Sequence, residues 1–448
     1  MLNLEKTPYL LEPQAEIAVT KKIKKLEERV ELLRSAGTLT DRTLLDYYGE
    51  KRFEQIAESN AIEGSTLSVG ETELAVLKGI TITGHDPAYV RDARSLSKAL
   101  DRMTDMARES KQPTDIEQLL ELHLLILGDR AGAGTFRNEP VRIKGSAHKP
   151  PMYWREIMNK MEEWESWSRD NADSPAILRS IILHAWLAHI HPFIDGNGRT
   201  ARAITNLELI RAGYPPVIIR KKKDRDRYVE ALAESDEAGD IRAFFELMIE
   251  RIEGALQGLE LSAKQKQEYN PRQLKIRNRQ EQQLHIWSTS VQLLVNQIEY
   301  YVHEQIDKVN GVVYVKEYDL SLDREDFIAL CDRQTISTSW LFIIGLKIPG
   351  FSRQERLAYL GYRNPSMYHK LGDEGGPSIF WSRKNDGGYP KWIHTEDEFP
   401  FAVEITTKLG QGDEWYGRTI DGSIVHLNTT AMAKRIANSL VEMLTSSE

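Results

Sequence analysis

Over Ala176–Ile190 the apolar positions close around nearly the whole circumference of a helix, interrupted chiefly by Arg179, Ser180, His184 and His189. A helix apolar on every side belongs in the middle of a core. The remainder of the first 258 residues is also dominantly helical in pattern, with start signals where helices should begin. Ser68-Val69-Gly70-Glu71 and Thr114-Asp115-Ile116-Glu117 both fit the capping box, in which a hydroxyl and a carboxylate satisfy the first free amides. Ser174-Pro175 supplies a cap and a proline at the first helical position. Ala203, Ile204, Leu207 and Ile210 make a stripe of helical spacing that predicts a helix starting at about Gly198. The clearest break is Val141-Arg142-Ile143-Lys144, where apolar and polar residues alternate before Gly145-Ser146 and Pro150-Pro151. A period of two followed by turn residues predicts a short strand and a small hairpin.

Beyond residue 258 the pattern changes. Glu260 to Arg279 is rich in Gln, Lys and Arg and contains Asn270-Pro271, which reads as a helical or flexible linker over residues 259–280. A helix is expected around Ser290–Lys308, then strand-like runs at Val312–Val315, Trp340–Ile344 and Phe401–Thr406, and a final helix over Thr430–Leu444. The expected fold class is mainly α, a helical core with a small β-hairpin, followed by a separate α+β domain over residues 281–448. Within the helical part, residues 1–110 are expected as an N-terminal region and residues 111–258 as the core.

Composition narrows the setting. A chain of 448 residues with 41% hydrophobic and 28% charged residues is an ordinary folding sequence of more than one domain. A net charge of −8 argues against a dominant attraction to nucleic acid. Arg220 to Arg227 mixes six basic with two acidic residues and reads as a solvated face. The lone Cys331 rules out an internal disulfide framework and suits a reducing cytoplasm. The longest apolar run, Trp340 to Leu346, is too short to span a bilayer, so no membrane role is expected.

The densest chemistry lies in His191-Pro192-Phe193-Ile194-Asp195-Gly196-Asn197-Gly198-Arg199-Thr200-Ala201-Arg202. An imidazole can accept a proton near neutral pH, which makes His191 the candidate base. Asp195 offers the hard oxygen that suits Mg²⁺. Gly196 and Gly198 allow a tight turn whose amides can face an anion, and Asn197 can add a side-chain donor. Helix N-terminal amides attract phosphate, and Arg199 and Arg202, three positions apart, can clamp a polyphosphate from one face. His184, His189 and His191 are spaced so that they do not put three ligands on one helical face, and no cysteine assists, so zinc is not expected. Trp154, Trp164 and Trp167 read as core.

This stretch resembles the signature of the Fic family, His-Pro-Phe-x-x-Gly-Asn-Gly-Arg, matched at every defined position. The resemblance implies transfer of AMP from ATP to a Ser, Thr or Tyr hydroxyl of an acceptor protein, or of the chain itself. It implies that His191 is the base and that Asp195 holds Mg²⁺. Gly196, Asn197 and Gly198 would bind phosphates, and Arg199 and Arg202 the β- and γ-phosphates. Retention of Gly196 and Gly198 favours AMP transfer over the phosphorylating Doc branch and the phosphocholine-transferring branch. Gly134-Thr135-Phe136-Arg137 and Val141, Arg142, Ile143 and Lys144 match the flap that aligns the acceptor chain by strand addition. Tyr228 lies in a segment that fits a later helix of the family and carries no distinct chemistry by itself.

Ser59-Asn60-Ala61-Ile62-Glu63-Gly64 is similar to the family's inhibitory motif. The resemblance implies that Glu63 pairs with Arg202 and blocks the γ-phosphate, with Ser59 and Gly64 as the other motif positions. In some members this glutamate also activates water to remove AMP, so the reverse reaction is admitted. Two other readings stand beside this one, a non-catalytic nucleotide-binding adaptor and the toxin of a toxin–antitoxin pair. The oligomeric state is not legible in the sequence.

Overall fold

The computed structural model describes residues 2–80, 82, 84–143, 148–267, 271–318, 322–336, 339–384, 390–392 and 400–445. Its first helices are α1 (Pro13–Ser35), α2 (Asp41–Ile62), α3 (Val69–Leu77), α4 (Pro87–Glu109) and α5 (Ile116–Leu127). There follow α6 (Trp154–Asp170), α7 (Ala176–Ile190), α8 (Asn197–Arg211), α9 (Lys221–Ala238) and α10 (Arg242–Gln267). The chain divides into two units, residues 1–72 with 86–270, and residues 73–85 with 271–448.

In the first unit α7 is buried along almost its entire length, as its circumference predicts, and packs against α8. Three of its polar interruptions, Arg179, Ser180 and His184, are buried. Arg179 pairs with Glu208 at 3.1 Å, and the Ser180 hydroxyl donates to the Ile177 carbonyl at 2.9 Å. α8 in turn packs on α4, α5 and α2, and residues 1–72 and 86–270 form one compact unit.

Several starts differ in detail. Ser68 and Glu71 form the expected reciprocal cap, the Ser68 amide donating to Glu71 at 2.8 Å. Thr114 does not cap α5. Its amide and hydroxyl both donate to the buried Glu208, at 2.8 and 2.7 Å, and Asp115 caps instead by accepting from the Gln118 amide at 2.8 Å. Pro175 sits at the cap of α7, one place before the helix. Val141, Arg142 and Ile143 lie in neither helix nor strand, and Lys144 lies outside the described residues. Alternation without a ladder partner does not make a strand, so the expected hairpin strand is corrected to irregular chain over its described part.

The second unit contains α11 (Pro271–Ile306), α12 (Arg324–Cys331), α13 (Pro365–Leu371) and α14 (Thr429–Thr445). Its strands are β1 (Val312–Glu317), β2 (Trp340–Lys347), β3 (Gln354–Gly361), β4 (Ser378–Lys384), β5 (Pro390–Trp392), β6 (Glu404–Thr407), β7 (Trp415–Arg418) and β8 (Ile424–Leu427). They form one antiparallel sheet in the order β1-β2-β3-β4-β6-β7-β8, with β5 paired to β4. α11 and α14 pack together over a core that includes Trp287, Ile298, Phe342, Trp381, Trp415 and Ile436. α11 begins at Pro271 and not near Ser290, because Gln, Lys and Arg are good helix formers and polarity alone does not signal a loop. Residues 73–85 join this unit through Lys78, which donates to the Lys408 carbonyl at 2.7 Å, and Glu73, which pairs with His285 at 3.0 Å. Among the described residues no helix is long and apolar enough to cross a membrane.

Candidate active site

α7 ends at His191, whose backbone is left-handed at φ 51°. A non-glycine residue holds that conformation only when its surroundings enforce it. Here the enforcement comes from Arg137, 2% exposed. Its Nε donates to the His191 carbonyl at 2.8 Å, and its other nitrogens reach the carbonyls of Glu139 and Pro151 at 2.9 and 2.7 Å. The Arg137 amide also donates to the Pro192 carbonyl at 2.9 Å. The sequence placed Arg137 in the flap motif; the structure makes it the clamp of the catalytic turn.

The His191 Nδ1–H donates to the Ala188 carbonyl at 3.3 Å, which leaves Nε2 as the basic nitrogen. Burial, with the neighbouring Arg137 and His148, pushes its pKa down to about 4 against the opposing effects of the Ala188 bond and Glu63. The imidazole is therefore neutral at pH 7 and able to accept a proton.

The next residues form a rigid turn into α8. Phe193 is fully buried and stacks on His123, ring centroids 3.6 Å apart and planes 10° apart. His123 receives the Gly134 amide on Nδ1 at 3.0 Å, so its Nε2 carries the hydrogen and donates to the Asp195 carbonyl at 2.9 Å. Burial lowers the His123 pKa to about 4, which preserves that tautomer. Gly196 is left-handed at φ 83°, and a Cβ there would meet Leu127 at 2.3 Å. The Asn197 side chain is not free to bind phosphate as expected. It accepts the Phe193 amide at 2.9 Å and donates to the Phe193 carbonyl at 2.8 Å, closing the loop on itself. The backbone remains available. No side chain caps Gly196, and the first intrahelical bond runs from Thr200 to Gly196, so the amides of Asn197, Gly198 and Arg199 precede the ladder. Such a terminus attracts phosphate.

The charged groups alternate around this terminus. Arg199, 3% exposed, pairs with Asp92 at 3.2 Å and with Asp195 at 3.3 Å. Arg130 joins the same two carboxylates at 2.9 and 3.2 Å. Asp92 and Arg130 carried no signal in the sequence, since each lies some distance from the signature. The Asp195 side chain is 55% exposed, so a hard, open carboxylate faces the space beside the helix terminus.

Arg202 is held differently. It donates to Glu63 at 2.7 Å, to the Ser59 hydroxyl at 3.0 Å and to the Ser59 carbonyl at 2.9 Å. The expected pair between the two motifs is thus formed, 139 positions apart. Gly198 makes room for it, because a Cβ there would lie 2.5 Å from Glu63 Oε1. Gly64, at φ 112°, turns the chain away after α2. Behind Arg202 lies a buried relay. The Arg202 guanidinium lies beside the Tyr228 hydroxyl, which bonds His184 Nε2 at 2.8 Å; His184 Nδ1 bonds Thr205 at 2.7 Å, and Thr205 donates to the Ala201 carbonyl at 3.0 Å. Because Thr205 gives its hydrogen to Ala201, His184 must donate from Nδ1 and Tyr228 from its hydroxyl, so every proton has one place.

Residues 113–209 match the Fic/DOC family. "Protein adenylyltransferase Fic" of Nematostella vectensis is 34% identical over 228 residues, covering 49% of this chain and 51% of that protein. The Drosophila grimshawi protein of the same name is 32% identical over 209 residues, covering 46% of this chain and 42% of its own. The chain thus spans about half the length of the curated relatives it matches. Among solved structures, Fic-1 (residues 134–508) from C. elegans is similar with a TM-score of 0.50 and 26% identity, covering 57% of this chain and 75% of that one. The chain carries a Fic domain around His191.

Proposed function

We propose that this chain transfers AMP from ATP to a hydroxyl of an acceptor protein and is restrained by its own Glu63. The observation that carries the reading is the juxtaposition of a neutral His191 with the uncapped start of α8, where Arg202 is engaged by Glu63. His191 Nε2 takes the acceptor's hydroxyl proton. The oxygen then attacks the α-phosphorus; the new P–O bond forms as the bond to the bridging oxygen breaks, and pyrophosphate leaves with the electron pair. The amides of Asn197, Gly198 and Arg199, with the positive end of the α8 dipole, hold the phosphates. Asp195, half exposed beside that terminus, fits a Mg²⁺ ion that would neutralise phosphate charge. Val141, Arg142 and Ile143 are the candidates to align an extended acceptor segment, and the lone Cys331 suits a reducing cytoplasm.

Glu63 and Ser59 use the donors that Arg202 would offer to the terminal phosphates, so ATP binds in a way that does not lead to transfer until they let go. The test incubates Glu63→Gly, and Glu63→Gly/His191→Ala as control, with Mg²⁺ and ATP labelled at either the α- or the γ-phosphate. The expected result is covalent label from α alone, absent in the control. Label from γ alone would replace AMP transfer with phosphorylation, and no label from either would overturn the enzymatic reading.

A further inference from the structure

Near the C-terminal end of α7, three side chains from separate parts of the first unit converge. His148 follows the flap, His189 lies two residues before the catalytic histidine on α7, and Asp236 is on α9. One ligand atom from each lies within 4.8 Å of the others. His189 Nδ1 is 2.7 Å from Asp236 Oδ1, and His148 Nε2 donates to the His189 carbonyl at 2.8 Å. The His189 carbonyl holds the His148 ring through Nε2, as the partners of metal-binding histidines do, and the proton between His189 Nδ1 and Asp236 is the one an incoming cation displaces.

A second observation points to something absent from the protein side chains alone. Tyr9 is 1% exposed, its ring stands edge-on to His189 at 6.4 Å, and its hydroxyl has no hydrogen-bond partner among the described residues. Burial and the nearby Asp236 both raise its pKa. A buried hydroxyl left unpaired is costly, so a missing partner is the economical explanation.

We propose that His148, His189 and Asp236 bind a divalent transition-metal ion, Zn²⁺ by their chemistry, whose fourth position carries a water within reach of Tyr9. Two nitrogens and one carboxylate suit zinc and do not suit Mg²⁺, which takes oxygen ligands. Tetrahedral zinc wants its ligand atoms about 3.3 Å apart, so the cluster has to draw in. Two imidazoles on one tetrahedral zinc stand about 5 Å apart by centroid, so the rings, now 4.3 Å apart, tilt away from each other as their nitrogens draw in. The ion would tie the chain just after the flap to α7, two residues from His191. The sequence hid the site because its ligands lie at positions 148, 189 and 236.

The test is calorimetric titration of the chelator-stripped full-length chain with Zn²⁺, read independently of AMP transfer. One Zn²⁺ per chain is expected, with affinity at least about tenfold weaker in both His148→Ala and Asp236→Ala. Asp195→Asn and His191→Ala should bind it as the parent does. Thermal melting verifies that each variant is folded; should Asp236→Ala fail that check, His148→Ala decides alone. No uptake by the parent, unchanged uptake in the folded variants, or loss in Asp195→Asn or His191→Ala would each overturn the site.

Discussion

At the scale of single residues, the catalytic turn is built from groups that spend their polarity on the backbone. Asn197 closes on Phe193, His123 bridges Gly134 to Asp195, and Arg137 gathers three carbonyls, one of them that of His191. The imidazole of His191 is thereby positioned through the backbone of the turn that carries it. Arg137→Met keeps much of the buried stem but strands three carbonyls, and should cost about 3 kcal/mol of stability. In the Glu63→Gly background it should lower the labelling rate by about a hundredfold, the scale of a misplacement near 1 Å, while ATP binding at the α8 terminus changes little. Labelling at the parental rate would show that Arg137 does not position His191. The signature residues were legible because base, carboxylate and glycines fall within twelve positions. Arg137 was visible as a motif member, but its task was not, because the carbonyls it holds belong to residues identified only by the fold.

At the scale of elements, the proposed brake depends on how α2 is held against α8 and α9. Glu54 of α2 accepts from Arg220 at 2.6 Å, and Glu58 accepts the Lys221 amide at 2.7 Å, capping the start of α9. These contacts sit one to three turns before Glu63 and fix the helix that presents it. Glu54→Ala/Glu58→Ala should therefore loosen Glu63 without touching the phosphate site, and raise self-labelling about fivefold, short of the effect of Glu63→Gly. Equal labelling in parent and double variant would mean that α2 is held by its apolar packing alone. The helices themselves were largely readable: α7 from its apolar circumference, α8 from its stripe, and the start of α3 from Ser68 and Glu71. What stayed hidden were pairings across the fold. Thr114 looked like a cap until Glu208, buried 94 positions away, claimed it. His184 and Tyr228 carried no separate signal until both met the chain of hydrogen bonds behind Arg202. The strand at Val141 failed for the related reason that alternation records exposure on two faces but not the presence of a neighbour.

At the scale of the molecule, the first unit stores an acid sensitivity that its net charge does not reveal. Burial lowers the pKa values of His123, His184 and His191 to about 4, 3 and 4. In the unfolded chain each would titrate near 6.5, so between that value and about 4 the unfolded chain binds more protons than the folded one. Their contribution to stability is complete above pH 6.5 and is lost as pH falls towards the folded values. Each histidine then removes about 1.4 kcal/mol per pH unit, or about 2 kcal/mol by pH 5. The second unit contains a histidine of opposite sign. His285, paired with Glu73, has a raised pKa, so its contribution is full at low pH and is lost as pH rises through the folded value. Differential scanning calorimetry from pH 7 to pH 5 should find the transition of the first unit falling by roughly 10 °C or more. His123→Gln, which removes one of the three titrations, should reduce the slope by about a third. A melting temperature that is flat over this range, or a slope untouched by His123→Gln, would mean that these imidazoles gain water and protons before the unit unfolds; His191 would then be charged at mildly acidic pH and the proposed AMP transfer would fall over the same interval.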